Sequence, residues 1–146
     1  MKKVVCIIEA RMSSTRFPGK VLKKIAGKKL LEILVSRLRL SKKISKLVVA
    51  TSNKIVDQKI INFCKEKNIS FYRGSERNVL KRIHDTAKKN NADIIIRLTG
   101  DNPLIDPEML DYMIEFFLEN KFNYVCNNGL GIEKKRGVPP GLDIQI

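Results

Sequence analysis

The chain has 146 residues, of which 43% are hydrophobic, enough for one domain with a buried core, and this composition argues against intrinsic disorder. Lysine and arginine total 29 against 15 aspartate and glutamate, so the net charge is +14 and an anionic partner is expected. No apolar run approaches the roughly 20 residues that a membrane span needs, and no signal-peptide pattern is present. We therefore expect a cytoplasmic protein without membrane contact.

The excess of positive charge raises nucleic acid as a partner. However, the lysines are spread along the chain, arginine-rich tracts are absent, and only 6% of the residues are aromatic, which leaves little for base stacking. These features favour a small anionic ligand such as a nucleotide. A basic nucleic-acid-binding module remains as the alternative from a different functional class.

Apolar runs alternate with segments of helical periodicity, the pattern of a largely parallel sheet covered by helices. We predict strands at residues 4–8, 46–50, 70–72, 93–98, 124–127 and 141–146. The residues between the last two strands, 128–140, are rich in glycine, proline and lysine, and they are predicted to form a mobile loop.

Four amphipathic helices are predicted between these strands, each from its apolar spacing. Their buried stripes are Leu30, Leu31, Leu34, Val35 and Leu38; Val56, Ile60, Phe63 and Cys64; Val79, Leu80, Ile83 and Ala87; and Leu110, Met113, Ile114 and Phe117. Ser75 is the predicted N-cap of the third helix. The fourth helix starts at Asp106, with proline at its first position.

Three cysteines lie far apart in apolar runs, at Cys6, Cys64 and Cys126. No Cys-x-x-Cys spacing occurs, so the pattern does not indicate a zinc site. We predict that all three thiols are reduced and buried in the core. The single histidine, His84, falls in the middle of a predicted helix and is given no catalytic role.

The segment after the first predicted strand is rich in cations and hydroxyl groups. It reads Glu-Ala-Arg-Met-Ser-Ser-Thr-Arg-Phe-Pro-Gly-Lys over residues 9–20, with fixed charges at Arg11, Arg16 and Lys20. Point charges and N–H donors among small residues suit a polyphosphate. The segment lacks Gly-x-Gly-x-x-Gly, and valine follows Gly-Lys, so it is neither a Rossmann fingerprint nor a Walker A loop.

This segment resembles the amino-terminal signature of the sugar nucleotidyltransferases called spore coat polysaccharide biosynthesis protein F. These are related to the cytidylyltransferases that activate 3-deoxy-manno-octulosonate and acylneuraminates. The likeness continues, in the family's order, at residues 48–52, 72–76, 97–106 and 141–143. It implies an α/β, three-layer Rossmann-like nucleotide-diphospho-sugar transferase fold, with a mostly parallel sheet and helices on both faces.

The resemblance also implies the reaction. We expect transfer of CMP from CTP to an acidic or modified sugar, with release of pyrophosphate, for surface polysaccharide biosynthesis. Mg²⁺ would be the cofactor, and a homodimer is implied. The alternative within this fold is an enzyme that uses another nucleotide or transfers a sugar, although Asp101-Asn102-Pro103 lacks an Asp-x-Asp pair. Family members continue beyond residue 146, so we expect one nucleotidyltransferase domain over 1–146 that is incomplete at its C-terminal end.

Loops that leave the carboxyl ends of parallel strands meet at one edge of a sheet, where we expect the site. The resemblance implies that Arg11, Arg16, Lys20 and Asp101 are catalytic, with Asp101 also holding Mg²⁺. It places the nucleotide on Ala10, Arg11, Ser13, Ser14, Arg16, Lys20, Thr51, Ser52, Arg73 and Ser75, and the sugar on Arg97, Asn102, Asn127 and Asp143.

The chain departs from the resembled family at several positions. Glu9 stands where glutamine is usual, which puts a carboxylate near the predicted phosphate site. Arg77, Asn78 and Lys81 replace residues that are commonly acidic, and His84 replaces a frequent aromatic. These differences bear on the sugar more than on the nucleotide.

Overall fold

Four parallel strands form the sheet on which the candidate site is built. The computed structural model describes residues 2–14, 17–127 and 143–146. Its strands are β1 (Val4–Glu9), β2 (Lys24–Ile25), β3 (Lys28–Lys29), β4 (Lys46–Ser52), β5 (Ser70–Gly74) and β6 (Ile94–Thr99). The sheet order is β5-β4-β1-β6, and all three pairings are parallel. The continuous apolar runs of β1 and β4 match central strands that are covered on both faces.

Helices cover both faces of this sheet, as predicted. They are α1 (Leu30–Leu38), α2 (Gln58–Glu66), α3 (Val79–Lys89) and α4 (Pro107–Glu119). The larger core cluster joins α1, α2 and α4 to one face, which includes Cys6 and Ile8 of β1. The smaller cluster joins α3 to the other face, through Val5 and Ile7. The alternation of side chains along β1 therefore builds two cores from one strand.

The start of α4 is confirmed, whereas the predicted cap of α3 is wrong. The Asp106 side chain accepts a hydrogen bond from the Glu108 N–H over 2.9 Å, with Pro107 in the first turn. At α3, however, the N-cap is Asn78, whose side chain accepts from the Lys81 N–H over 2.8 Å. Ser75 instead accepts from the Asn78 N–H over 3.0 Å, so its hydroxyl shapes the turn before the helix.

Two apolar residues assigned to buried stripes are exposed. Leu80 is 77% exposed, because α3 turns Arg82 and Ile83 toward the sheet instead. Val56 is 43% exposed and belongs to a 3₁₀ turn, Ile55–Asp57, that precedes α2.

The predicted strand at 124–127 is replaced by an isolated bridge. Cys126 pairs with Gln145 in antiparallel fashion, and Gln145 pairs in the same way with Arg97 of β6. The last described residues therefore lie beside β6, with Ile144 and Ile146 buried. Residues 128–142, which include the predicted loop and the start of the last predicted strand, lie outside the described residues.

The short hairpin of β2 and β3 was not predicted from the sequence. Its two central residues, Ala26 and Gly27, both have positive φ, 49° and 80°, as a two-residue turn of the type I′ class requires. In the part of the chain that the structure describes, no helix is both long and apolar enough to cross a bilayer.

The thiols of Cys6 and Cys64 are free and buried, as predicted, whereas Cys126 is only half-buried. Burial raises the pKa of the Cys64 thiol to about 12 and that of Cys6 further. Both side chains therefore remain neutral core groups.

Candidate functional site

A cleft of about 390 Å³ lies at the carboxyl ends of β1 and β6. This is the edge of an open parallel sheet at which ligands bind. Its lining residues are Glu9, Ala10, Arg11, Ser14, Lys20, Val21, Val79, Arg82, Arg97, Thr99 and Asp101. Six of these were predicted as site residues: Ala10, Arg11, Ser14, Lys20, Arg97 and Asp101. A larger groove of about 620 Å³ shares Val79 and Arg97 with the cleft, but it is lined mainly by apolar side chains.

The predicted loop cation and the predicted metal ligand contact each other across this cleft. The Lys20 ammonium forms an ion pair with the Asp101 carboxylate, 81 positions further along the chain. Burial acts to raise the pKa of Asp101, but hydrogen bonds from Lys20 and Thr99 outweigh it and hold the pKa below its ordinary value. The carboxylate is therefore ionised at neutral pH and partly exposed to the cleft.

Gly100 allows the end of β6 to approach β1 closely. Its N–H donates to the Glu9 carbonyl oxygen over 2.8 Å, and a Cβ atom at this position would lie only 2.9 Å from that oxygen. A side chain would therefore push the two backbones apart. Because Asp101 is the next residue, this close approach sets where its carboxylate enters the cleft.

A buried carboxylate, that of Asp57, fixes the cation-rich segment after β1. The Asp57 carboxylate accepts from the Met12 N–H over 2.7 Å and from the Ser52 hydroxyl. Asp57 is completely buried. The Gly19 N–H donates to the Met12 carbonyl over 2.9 Å, so Met12 also fixes the end of the segment at Gly19.

A model of the cytidylyltransferase family matches residues 5–138 of the chain. The chain belongs to the cytidylyltransferase family.

Two relatives of this cytidylyltransferase chain agree with that assignment. It is 43% identical over 138 residues to the spore coat polysaccharide biosynthesis protein SpsF of Bacillus subtilis (strain 168), covering 90% of this chain and 58% of that protein. It is 35% identical over 112 residues to the 3-deoxy-manno-octulosonate cytidylyltransferase of Solibacter usitatus, covering 75% and 43%. The chain thus spans about half the length of the curated relatives that it matches.

Solved structures match the fold as well. A cytidylyltransferase from Leptospira borgpetersenii serovar Hardjo-bovis superposes with a TM-score of 0.91 at 37% identity, over 99% of this chain and 60% of that one. A CMP:2-keto-3-deoxy-manno-octonic acid synthetase complexed with CTP superposes with a TM-score of 0.70 at 27% identity, over 82% and 48%. The Rossmann-like α/β fold class is confirmed, and the nucleic-acid alternative is not favoured.

The cytidylyltransferase cleft does not include every residue predicted to bind the nucleotide. Thr51 and Ser52 are fully buried, and the Ser52 hydroxyl donates to Asp57. Arg73 donates to the backbone oxygens of Ser52, Asn53 and Lys54, so it braces the turn after β4. None of these three side chains lines the cleft, and those of Ser52 and Arg73 form hydrogen bonds with the turn after β4.

Of three further predicted nucleotide ligands, two do not line the cleft and the third lies outside the described residues. The Ser13 hydroxyl donates to Glu76 over 3.1 Å and does not line the cleft. Ser75, near the start of α3, accepts from Arg82 through its backbone oxygen over 2.5 Å. Arg16 lies outside the described residues.

Among the predicted sugar ligands, only Arg97 lines the cleft. Asn102 is 7% exposed and closes a turn with Thr99. Asn127 accepts from the Ile144 N–H over 2.8 Å through its side chain, which fixes the last described segment. Asp143 lies at the start of that segment and is half-buried.

Three charged residues, two of which line the cleft, were missed or misjudged from the sequence. Glu9 is not an isolated carboxylate beside the phosphate site, because it pairs with both Arg82 and Arg97. Arg82 is 2% exposed although it is a charged residue of an amphipathic helix. Asp57, in a 3₁₀ turn, carried no sequence signal beyond its position next to Val56, the first residue of a predicted apolar helical stripe.

Proposed function

We propose that this chain carries the nucleotide-binding part of a sugar cytidylyltransferase, which transfers CMP from CTP to a sugar hydroxyl and releases pyrophosphate. The observation that carries the proposal is the ion pair of Lys20 with Asp101 inside the cleft. It brings together the cation that we propose binds phosphate and the carboxylate that we propose holds Mg²⁺. Membership of the cytidylyltransferase family supports the same reaction class.

The chemistry needs charge stabilisation more than covalent participation by the protein. A sugar oxygen attacks the α-phosphorus, the bond to the bridging oxygen breaks, and pyrophosphate leaves with its negative charge. Arg11 and Lys20 line the cleft and supply fixed positive charges for that leaving group. Arg16 belongs to the same cationic segment and is proposed to serve the same leaving group.

The donor set of the cleft fits Mg²⁺. Within the described residues no group of three or more acidic, histidine or cysteine side chains forms a complete protein cage. Mg²⁺ takes one or two protein carboxylates and fills its remaining positions with phosphate oxygens and water, so the ionised Asp101 suits it. When bound, the ion would neutralise charge on the phosphate oxygens.

For the acceptor, we propose an acidic or otherwise modified sugar used in surface polysaccharide synthesis. The names of two relatives, a spore coat polysaccharide biosynthesis protein and a 3-deoxy-manno-octulosonate cytidylyltransferase, support this class. A cationic side chain in the cleft, Arg97, supports an acceptor with a negatively charged or oxygen-rich group.

Isothermal titration calorimetry with the Mg²⁺ complexes of the four ribonucleoside triphosphates tests this proposal. CTP is expected to bind roughly tenfold more tightly than ATP, GTP or UTP, since a single well-placed hydrogen-bonding group gives discrimination of that order. Equal affinity for all four would contradict the assignment. A second assay follows pyrophosphate release from CTP when 3-deoxy-manno-octulosonate is added.

A further inference from the structure

Glu9 lies between two arginines at the wall of the cleft. Its Oε1 accepts from the Arg97 Nε over 2.5 Å, and its Oε2 lies 3.5 Å from the Arg82 Nη2. The Glu9 and Arg82 side chains are 13% and 3% exposed, whereas that of Arg97 is 40% exposed. One carboxylate thus connects a buried guanidinium to a more exposed one, and both arginines line the cleft.

The Arg82 guanidinium is fixed independently of Glu9. Its Nη1 donates to the Ser75 backbone oxygen over 2.5 Å, and its Nε makes no hydrogen bond within the described part of the chain. Burying a guanidinium without a nearby anion carries a large free-energy cost. Movement of the Glu9 carboxylate away from Arg82 would therefore destabilise the folded chain. Arg82 therefore holds the position of Glu9.

Glu9 in turn holds Arg97, with help from the last described segment. The Arg97 Nη1 donates to the Gln145 side-chain oxygen over 2.7 Å, while its Nε donates to Glu9. The remaining nitrogen, Nη2, donates no hydrogen bond to any residue that the structure describes. Two nitrogens are thus fixed, and the third is available to a ligand in the cleft that Arg97 lines.

We propose that Glu9 is a positioning residue, which holds Arg97 so that its Nη2 donates to a single anionic group, a carboxylate, on the sugar acceptor. This inference rests on the proposed function, because it concerns the acceptor of that reaction. One carboxylate between two guanidinium groups leaves one net positive charge, which matches one bound carboxylate. Glu9 acts through Arg97 and does not itself touch the substrate.

Arginine modification by phenylglyoxal, followed by peptide mass spectrometry, tests the first half of the proposal. In Glu9→Gln the amide still offers an oxygen, but the charge that holds Arg97 is lost. The Arg97 modification rate is expected to rise roughly tenfold relative to the exposed Arg77. The matched control is Glu115→Gln, which removes a surface ion pair with Lys43 and should leave the Arg97 rate unchanged.

An Arg97 rate in Glu9→Gln within about twofold of the unmodified chain would overturn the proposal, since a charge-assisted hydrogen bond accounts for more than that factor. If Glu9→Gln does not fold, Glu9→Asp replaces it. The shorter side chain keeps the charge beside Arg82 but draws back from Arg97, and the same rise is expected.

Acetate tests the carboxylate class of the ligand. At equal ionic strength, acetate should slow Arg97 modification at least about twofold more than chloride does, with no such difference at Arg77. Equal rates in the two salts would overturn the ligand class.

Calorimetry separates this inference from the proposed function: Glu9→Gln should bind Mg²⁺–CTP no more weakly than the unmodified chain. Weakened CTP binding would assign Glu9 to the nucleotide and refute its role at Arg97, whereas an unmodified chain that does not bind CTP would refute the proposed function itself.

Discussion

The Asp57 carboxylate accepts a hydrogen bond from the Met12 backbone N–H over 2.7 Å, across 45 positions of sequence. The same carboxylate accepts from Ser52 at the end of β4. A buried acid therefore joins the cation-rich segment to the sheet that carries it. The position of Arg11 next to Met12 depends on this link, although Asp57 itself does not line the cleft.

Asp57→Asn is expected to lower both stability and nucleotide affinity. The amide retains one oxygen, but one of the two donors loses its charged acceptor, at a cost of about 1–3 kcal/mol for a buried site. Urea unfolding measures the first effect, and calorimetry with Mg²⁺–CTP should show roughly tenfold weaker binding. Asp85→Asn, which removes a surface pair with Lys81, is the control. If both variants behave alike, Asp57 does not support the segment.

Lys20→Ala is expected to weaken Mg²⁺–CTP binding by roughly tenfold or more, because a charge-assisted contact to phosphate is lost in a partly water-excluded cleft. Lys24→Ala is the matched control, since Lys24 is an exposed lysine of β2 outside the cleft. Its affinity should stay within about twofold of the unmodified chain, because an exposed charge contributes little. Equal losses in both variants would indicate a general effect of net charge.

Much of the fold was predicted because buried strands and helix faces need apolar residues at a regular spacing, which can be read within each short segment. Strands β1 and β4 read as apolar runs, and α4 carries its cap and proline in sequence. The cap of α3 could not be chosen in this way, since Ser75 and Asn78 are both good capping residues. Only the turn geometry decides between them, with the Ser75 hydroxyl used by the Asn78 N–H.

Cleft residues were predicted where the cation-rich segment itself carries the chemistry, as at Arg11 and Lys20, or where the family resemblance supplied the role, as at Asp101. They were not predicted where a role depends on distant partners. Hydropathy predicted that Leu80 is buried and left Arg82 out of the buried stripe. In the structure Leu80 is exposed and Arg82 is buried, because the Glu9 carboxylate of β1 supplies the negative charge that makes burial of Arg82 tolerable. Asp57 was missed for the same reason.

Asp101→Asn is expected to remove the contribution of Mg²⁺ to CTP binding. An amide is a neutral and weaker ligand for Mg²⁺, so CTP should bind this variant about equally with Mg²⁺ and with EDTA. Asp106→Asn is the control, since asparagine also caps helices well and Asp106 lies outside the cleft. Calorimetry with and without the metal measures both. A preserved Mg²⁺ effect in Asp101→Asn would assign the ion to other residues.

The lowered pKa of Asp101 also predicts how stability depends on pH. Hydrogen bonds from Lys20 and Thr99 outweigh the opposing effect of burial and hold the folded-state pKa below the ordinary value of 3.8. The ionised group therefore contributes stability above 3.8, and this is lost as pH falls through the folded-state pKa.

The stability difference between the unmodified chain and Asp101→Asn should accordingly shrink on going from about pH 7 to about pH 3 in urea unfolding. Other carboxylates with lowered pKa values, such as Glu76 and Asp85, titrate in both proteins and cancel in the difference. Since Asp101 is partly exposed, solvent screening limits the size of the effect. A difference that stays constant with pH would mean that the Lys20–Asp101 pair contributes no net stability, and that its two members are held in the cleft by their backbones alone.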